Sequence, residues 1–359
     1  FTRCGVTVNS GCSVISLHDL KVESCAIRGI ELIGTSGSRI TKSEVNNCKI
    51  FNCCTSASSS DSALMLTACT DVLVNYCRIN DIVSSGISAF IKLDTCVSCE
   101  LKYVFLDNNT RNGGVLSGVL FSGSNNCRLY NVIVRNQRDP SANHAAFDMT
   151  TPINKSNIYQ NCMVLNSSGP NSASMTGFGF GSNPTGNVGF FLKKCLTAGL
   201  TGGQTIGFST SVNTTFLELE ECVSLAHVGN LNSNATAGFL FYNATGGSII
   251  NKCIGSYNSA PQANNACAGV IMQGAGNSDV YVINSDFVGN TNTASDVNSN
   301  GIRNEGSANI VFVQNVAARN GTTANTANIS GVAAGSIDTT GGSTTMNSPT
   351  APWTNLSIR

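Results

Sequence analysis

The sequence predicts an all-β chain folded as a solenoid of about eleven coils, each of three short parallel strands. Three observations predict it. A cysteine-centred phrase recurs roughly every thirty residues, each recurrence has the same apolar neighbours, and a glycine-led apolar phrase stands between recurrences.

The phrase reads VNNCKI at 45–50, VNYCRI at 74–79, YQNCMV at 159–164, LKKCLT at 192–197, LEECVS at 219–224 and INKCIG at 250–255. Extending its grammar gives one inward column: Cys25, Cys48, Cys77, Val104, Val132, Cys162, Cys195, Cys222, Cys253, Ser285 and Val316. The first step is 23 residues and the others run from 27 to 33. Seven of the eleven members are Cys and three are Val, so each copy wants a small apolar side chain there.

Three residues before the column stand apolar residues such as Val45, Val74, Leu101, Leu192 and Ile250. A continuous strand would put positions three apart on opposite faces. Both are apolar, so the chain must turn a corner between them. The corner holds two polar residues, often Asn (Asn46 and Asn47, Asn131, Asn161, Asn284), a residue that tolerates the left-handed conformation. The third side is the phrase GIELIG at 29–34, GISAFI at 86–91, GVLFSG at 118–123, GFLFYN at 238–243, GVIMQG at 269–274 and GIRNEG at 301–306. Three such sides make a right-handed-type parallel β-helix, about 50 Å long at the ~4.8 Å strand spacing.

The expected division is a β-helix over 1–320 and a Ser/Thr/Gly-rich segment over 321–359, which contains Trp353 and packs on the helix as a cap or strap. Loops lengthen at one corner, at 137–144, 167–176, 227–236, 258–267 and 290–300, and should gather along one edge of the rod. The pattern over roughly 12–320 resembles the pectate-lyase-like β-helix superfamily, which includes pectate lyases, polygalacturonases and phage tailspikes. The resemblance is one of architecture.

Composition narrows the function. Lys plus Arg and Asp plus Glu are 20 each, which gives no basic stripe for nucleic acid. No apolar run approaches the ~18 residues of a membrane span, so no membrane insertion is expected. The sixteen cysteines include one CxxC, Cys96 and Cys99, with no second pair, so no metal site is expected. Cys69 should stack on Cys96, and Cys99 on Cys127. Buried in inward runs, the cysteines are expected as free thiols, which implies folding under reducing conditions.

Many charges fall into surface ladders: Lys194, Glu221 and Lys252; Lys193 and Glu220; Asp19, Lys42 and Asp71; Asp107 and Arg135. Resemblance to a polygalacturonase would imply Asn-Thr-Asp, adjacent Asp-Asp, Gly-His-Gly and Arg-Ile-Lys, and none occurs. Glu31 and Asp148 share one strand position but stand four coils apart, nearly 20 Å, too far for paired carboxylate chemistry. His18, His144 and His227 read as scattered loop or surface residues. No catalytic residue, ligand-binding residue or cofactor is assigned from the sequence.

The sequence therefore reads as a structural or adhesive rod at a virion or microbial cell surface, with glycans along its loop edge. The alternatives are a polysaccharide lyase or glycoside hydrolase with a diverged site, or a non-catalytic carbohydrate-binding module. The chain starts at Phe1 and its first phrase follows almost at once, so its first coil needs a cover. Self-assembly as a trimer or filament, or a missing N-terminal domain, would supply one.

Overall fold

The computed structural model describes residues 4–321 except 57, 59–60, 112–115, 141–142, 152–153, 181–186, 211–213, 232–234, 244–246, 263–264, 275–279, 295–297 and 306–309, together with 329–330 and 356–358. It is an all-β parallel β-helix. Three long parallel sheets run its length, here sheet A with 12 strands, sheet B with 11 and sheet C with 12. Successive strands of each sheet come from successive coils, so every pairing is between one coil and the next.

Each coil runs from sheet A through sheet B to sheet C. Two shorter ladders flank these, so a coil has more sides than the three expected. Ladder D, which includes Ile40–Thr41 and Cys69–Thr70, lies between sheets A and B. It continues as single bridges through Val97 and Asn125 to Lys155. Ladder E runs from Val83–Ser84 and Thr110–Arg111, through bridges at Arg138 and Ser168, to Thr291–Asn292 between sheets C and A. Sheets B and C are built on a five-residue unit. Corners with positive φ recur at Lys42, Asn47 and Asn52, at Asp71, Tyr76 and Asp81, and at Asn126, Asn131 and Asn136. Each side in these two sheets is thus built on a three-residue strand, one left-handed residue and one small inward residue.

Strand register fixes the cysteine column. Lys21 pairs with Lys49, and Cys48 stands just before Lys49, so the first-coil member is Leu20. Cys25 instead stacks on Cys53, five residues further on, at the corner after sheet C. Sequence reading merges the two because both corners take small buried residues. At the other end Asp286 pairs with Val316, so the member beside Ser285 is Asn315. Val316 faces outward on sheet C, and the position before it is polar rather than apolar. The column is therefore Leu20, Cys48, Cys77, Val104, Val132, Cys162, Cys195, Cys222, Cys253, Ser285 and Asn315. Its members from Cys48 to Asn315 are buried. The residue before each has φ between 51° and 55°, from Asp19 to Gln314.

All sixteen cysteines are unpaired thiols, fourteen of them buried. The column thiols donate to a carbonyl of the preceding coil: Cys77 to Val45 at 3.4 Å, Cys195 to Tyr159 at 3.5 Å, Cys222 to Leu192 at 3.4 Å and Cys253 to Leu219 at 3.4 Å. Asn315 does the same with its amide, to Val282 at 2.8 Å. Cys and Asn are interchangeable there because each brings a donor to a buried corner carbonyl.

A second inward ladder begins with Cys25 and Cys53 and ends in asparagines. Asn258 Nδ2 donates to Asn290 Oδ1 at 2.8 Å, and Asn290 Nδ2 to Asn320 Oδ1 at 2.9 Å. Inside sheet A, Phe147, Phe178, Phe208 and Phe239 stack with centroids 4.5, 5.0 and 5.1 Å apart. Beyond residue 321, Ile329–Ser330 adds a strand to sheet A and Leu356–Ile358 adds one to sheet C. Trp353 lies outside the described residues.

Candidate functional site

Sheet A carries the residues that sequence reading weighed as chemistry. In its strands from Cys4–Asn9 to Ser299–Glu305 two successive residues point inward. Phe90 and Ile91 both enter the core, as does Phe239. A Cβ on Gly238 would meet Gly255 of sheet C, so that position faces inward too. An alternating strand cannot do this without bending. The bend has its concave side outward, and it forms a crease along the rod.

The outward residues on either side of the bend meet in the crease. At one end Arg28 pairs with Glu31 and, at 2.6 Å, with Asp61. Thr7 Oγ1 donates to Glu31 at 2.7 Å, and Ser58 donates to Asp61 from both its backbone N–H and its hydroxyl at 2.7 Å. Burial alone would push both carboxyls up. The bonds from Arg28, Thr7 and Ser58 outweigh it and hold Glu31 and Asp61 below the usual carboxylate range. Midway, Ser117 Oγ donates to Asp148 Oδ2 at 2.7 Å. Further along, Ile206, Ala237, Leu240, Ala268 and Ile271 pack as an apolar cluster separate from the interior core. At these three places the crease is filled by its own side chains. Glu31 and Asp148 occupy the same strand position four coils apart, through Met65, Lys92 and Leu120.

The histidines do not all sit where sequence reading puts them. His18 is exposed and reaches Glu44 at 2.7 Å. His144 and His227 are buried. His227 lies in the second inward ladder. Its Nδ1 accepts from the Leu200 N–H at 3.3 Å, so its Nε2 carries the proton beside Ser224 (2.8 Å) and Thr197 (3.1 Å). Burial pushes its pKa down to about 3, so it is a neutral structural group. Sequence reading missed this because the ring stands in for the column's asparagine. The signal was its offset, five residues after Cys222, as Asn258 is from Cys253.

The charge ladders form in part. Lys193 reaches Glu220 at 2.7 Å, Lys194 reaches Glu221 at 3.5 Å, and Arg135 reaches Asp107 at 2.7 Å. Asp19 leaves its expected place with the corrected register and takes a bond from Asn47 at 2.5 Å. Among the described residues, no group of three or more His, Cys, Asp or Glu side chains is arranged to hold a metal ion.

The described parts of the expected long loops lie beside ladder E, while 141–142, 232–234, 263–264 and 295–297 fall outside the described residues. Their backbones stack: Asp139 N–H donates to Ser168 O at 3.0 Å, Gly169 N–H to Thr201 O at 2.8 Å, and Gly203 N–H to Pro170 O at 2.9 Å. They enclose an open hollow of about 690 Å³ lined by Arg138, Asp139, Pro140, Asn171, Ser172 and Leu231, among others. Asn230 Nδ2 donates to Asn171 Oδ1 at 3.1 Å across its wall. The hollow is lined by a guanidinium, a carboxylate, one side-chain amide, two hydroxyls and one leucine.

No family model and no curated protein matches this chain. Solved structures similar to it include a mannuronic-acid-specific polysaccharide family 6 lyase from human gut microbiota, with 13% identity over 88% of this chain and 76% of that one, TM-score 0.28. Another is the A-module of the mannuronan C-5 epimerase AlgE4 of Azotobacter vinelandii, with 12% identity over 84% and 91%, TM-score 0.28. A third is the catalytic domain of a GH87 α-1,3-glucanase in complex with nigerose, with 10% identity over 86% and 61%, TM-score 0.25. The likeness is one of fold. It carries no argument about chemistry, and the parallel β-helix rests on this chain's own ladders.

Proposed function

We propose that this chain is a structural or adhesive rod, a fibre, spike or surface-layer component of a virion or microbial cell, which holds glycans along its loop edge without converting them. The observation that carries this reading is the filled crease. Its carboxylates serve the rod: Glu31 and Asp61 clamp Arg28, and Asp148 accepts from Ser117. A glycosidase needs two carboxylates about 5–10 Å apart across one bond, one of them able to give up a proton near neutral pH. Glu31 and Asp148 are four coils apart, while Glu31 and Asp61, which do stand close, share Arg28 and are both held below the ordinary range rather than above it.

The hollow above ladder E supports the binding part, with Arg138 and Asn171 as the groups that would meet hydroxyls. The unpaired thiols support folding under reducing conditions, and low charge density favours side-by-side or end-to-end assembly. The test is to incubate the full chain with a panel of plant and microbial polysaccharides while following retention and bond cleavage together. Retention that weakens in Arg138→Ala, with no reducing ends or unsaturated products, is the expected result. Product formation lost in Asp148→Asn or Glu31→Gln would replace this reading with the enzyme.

A further inference from the structure

A second surface lies away from both the crease and the loop edge. Where the chain turns into the outward face of sheet B, one column of left-handed residues runs from Asp71 through Ser98, Asn126, Ser156, Gly189 and Phe216 to Gly247, with φ between 52° and 78°. Two residues after each stands an outward residue of sheet B. Two hollows of about 540 and 380 Å³ lie between these columns. They share Ser156 and Ile158, so they form one groove along seven coils, about 30 Å at the strand spacing.

The two halves of the groove differ. The first is polar, with Asp71, Glu100, Asn126 and Arg128, and Glu100 holds Arg128 at 3.7 Å. The second is apolar, with Ile158, Phe191, Phe216 and Ile249. Phe216 is 60% exposed at φ +55°, a conformation a bulky side chain seldom adopts. Its ring edge lies 3.0 Å from where a Cβ on Gly247 would stand. The column member of the next coil is thus bare beneath the ring, and the outer face of the ring is open.

We infer that this groove binds a neutral, hydroxyl-rich polysaccharide chain along the rod axis, with Phe216 and Phe191 as the platforms for sugar rings. Three features select that occupant. The groove is long and axial, so it suits an extended polymer. Its lining has Asp71, Glu100 and Glu218 against Arg128, which disfavours nucleic acids and polyuronates. Its floor is sheet B, whose backbone groups are spent on neighbouring coils, so no strand edge is offered to a peptide. A chain with apolar ring faces and a polar hydroxyl rim matches both halves. The groove is on a different side of the rod from the loop edge, and its occupancy does not depend on the hollow there.

Gel affinity electrophoresis of the full chain tests this, with neutral glucans, xylans and galactomannans in one set of gels and alginate or polygalacturonate in another. At least one neutral polymer should retard the protein, and the polyuronates should not. Phe216→Ala should weaken retardation roughly tenfold, Phe191→Ala should weaken it too, and Phe216→Trp should retain it. Thermal unfolding checks that each variant is folded, and Phe191→Ala decides if Phe216→Ala is not. Loss in Arg138→Ala with Phe216→Ala and Phe191→Ala unchanged would favour the loop edge and overturn the groove. Loss in the phenylalanine variants with Arg138→Ala unchanged would establish the groove and count against the loop edge. Stronger retardation by polyuronates, or none by any neutral polymer, would also overturn the inference.

Discussion

At the scale of single residues, the inward corner position takes a small buried group, and its Cys, Ser and Asn members also donate to a carbonyl. Cys222 is buried, and its thiol points to the Leu192 carbonyl. Cys222→Ala should cost about 1–2 kcal/mol in urea unfolding, from lost volume and an unmet carbonyl. Cys222→Lys should cost several kcal/mol, because it buries an unpaired charge. His227 gives a pH dependence whose sign follows from its folded pKa of about 3. Between the unfolded value near 6.5 and about 3, the unfolded chain binds a proton that the folded chain does not, so stability falls as pH falls through that window. Glu31, Asp61 and Asp107 also have folded pKa values below their unfolded ones. Their contribution is present above about pH 4 and is lost as pH falls through the folded values. His227→Asn, which restores the residue found at Asn258, should flatten the loss between pH 6.5 and 4 and leave the more acidic part in place. Equal slopes for both proteins in denaturant titrations across that range would refute the assignment. The column was legible because Cys and Val recur beside fixed neighbours. Cys25 and Val316 were misplaced because composition cannot separate two similar corners five residues apart, or a one-residue shift where Asn315 replaces the expected apolar residue.

At the scale of elements, the sheet A strand is defined by its bend. Gly207 takes the first inward position, where an added Cβ would overlap Ser224 Oγ and stand 2.7 Å from the Gly238 carbonyl oxygen. Gly207→Ala should therefore destabilise by roughly 1–3 kcal/mol through overpacking. A neutral result in chemical denaturation would contradict the close approach of sheets A and C there. The glycine-led phrase was visible in the sequence, but one copy was out of phase. In GISAFI it is Phe90, not Gly86, that occupies the glycine position, since Ile91 pairs with Val119. The bend itself was not legible, because two adjacent inward residues look like an ordinary buried strand until their partners across the core are known.

At the scale of the molecule, the rod is a sum of like contacts between neighbouring coils, and its interior is closed along most of its length. Fourteen thiols are buried and only Cys4 and Cys12 are partly exposed. Native thiol titration should thus find about two fast-reacting groups and denaturation should release the rest, all sixteen being unpaired. Six or more thiols reacting quickly in the native state would contradict the packing of the ladders. By itself the sequence determined the parallel β-helix and the stacking of its strands. Each of these follows from a period, and a period is a property of the chain. Tertiary structure decided the register of the first and last coils, the five-residue sides, the filling of the crease and the groove beside Phe216. Those depend on which residues meet across coils about thirty positions apart, and side chains that are distant in sequence become neighbours only when the coils stack.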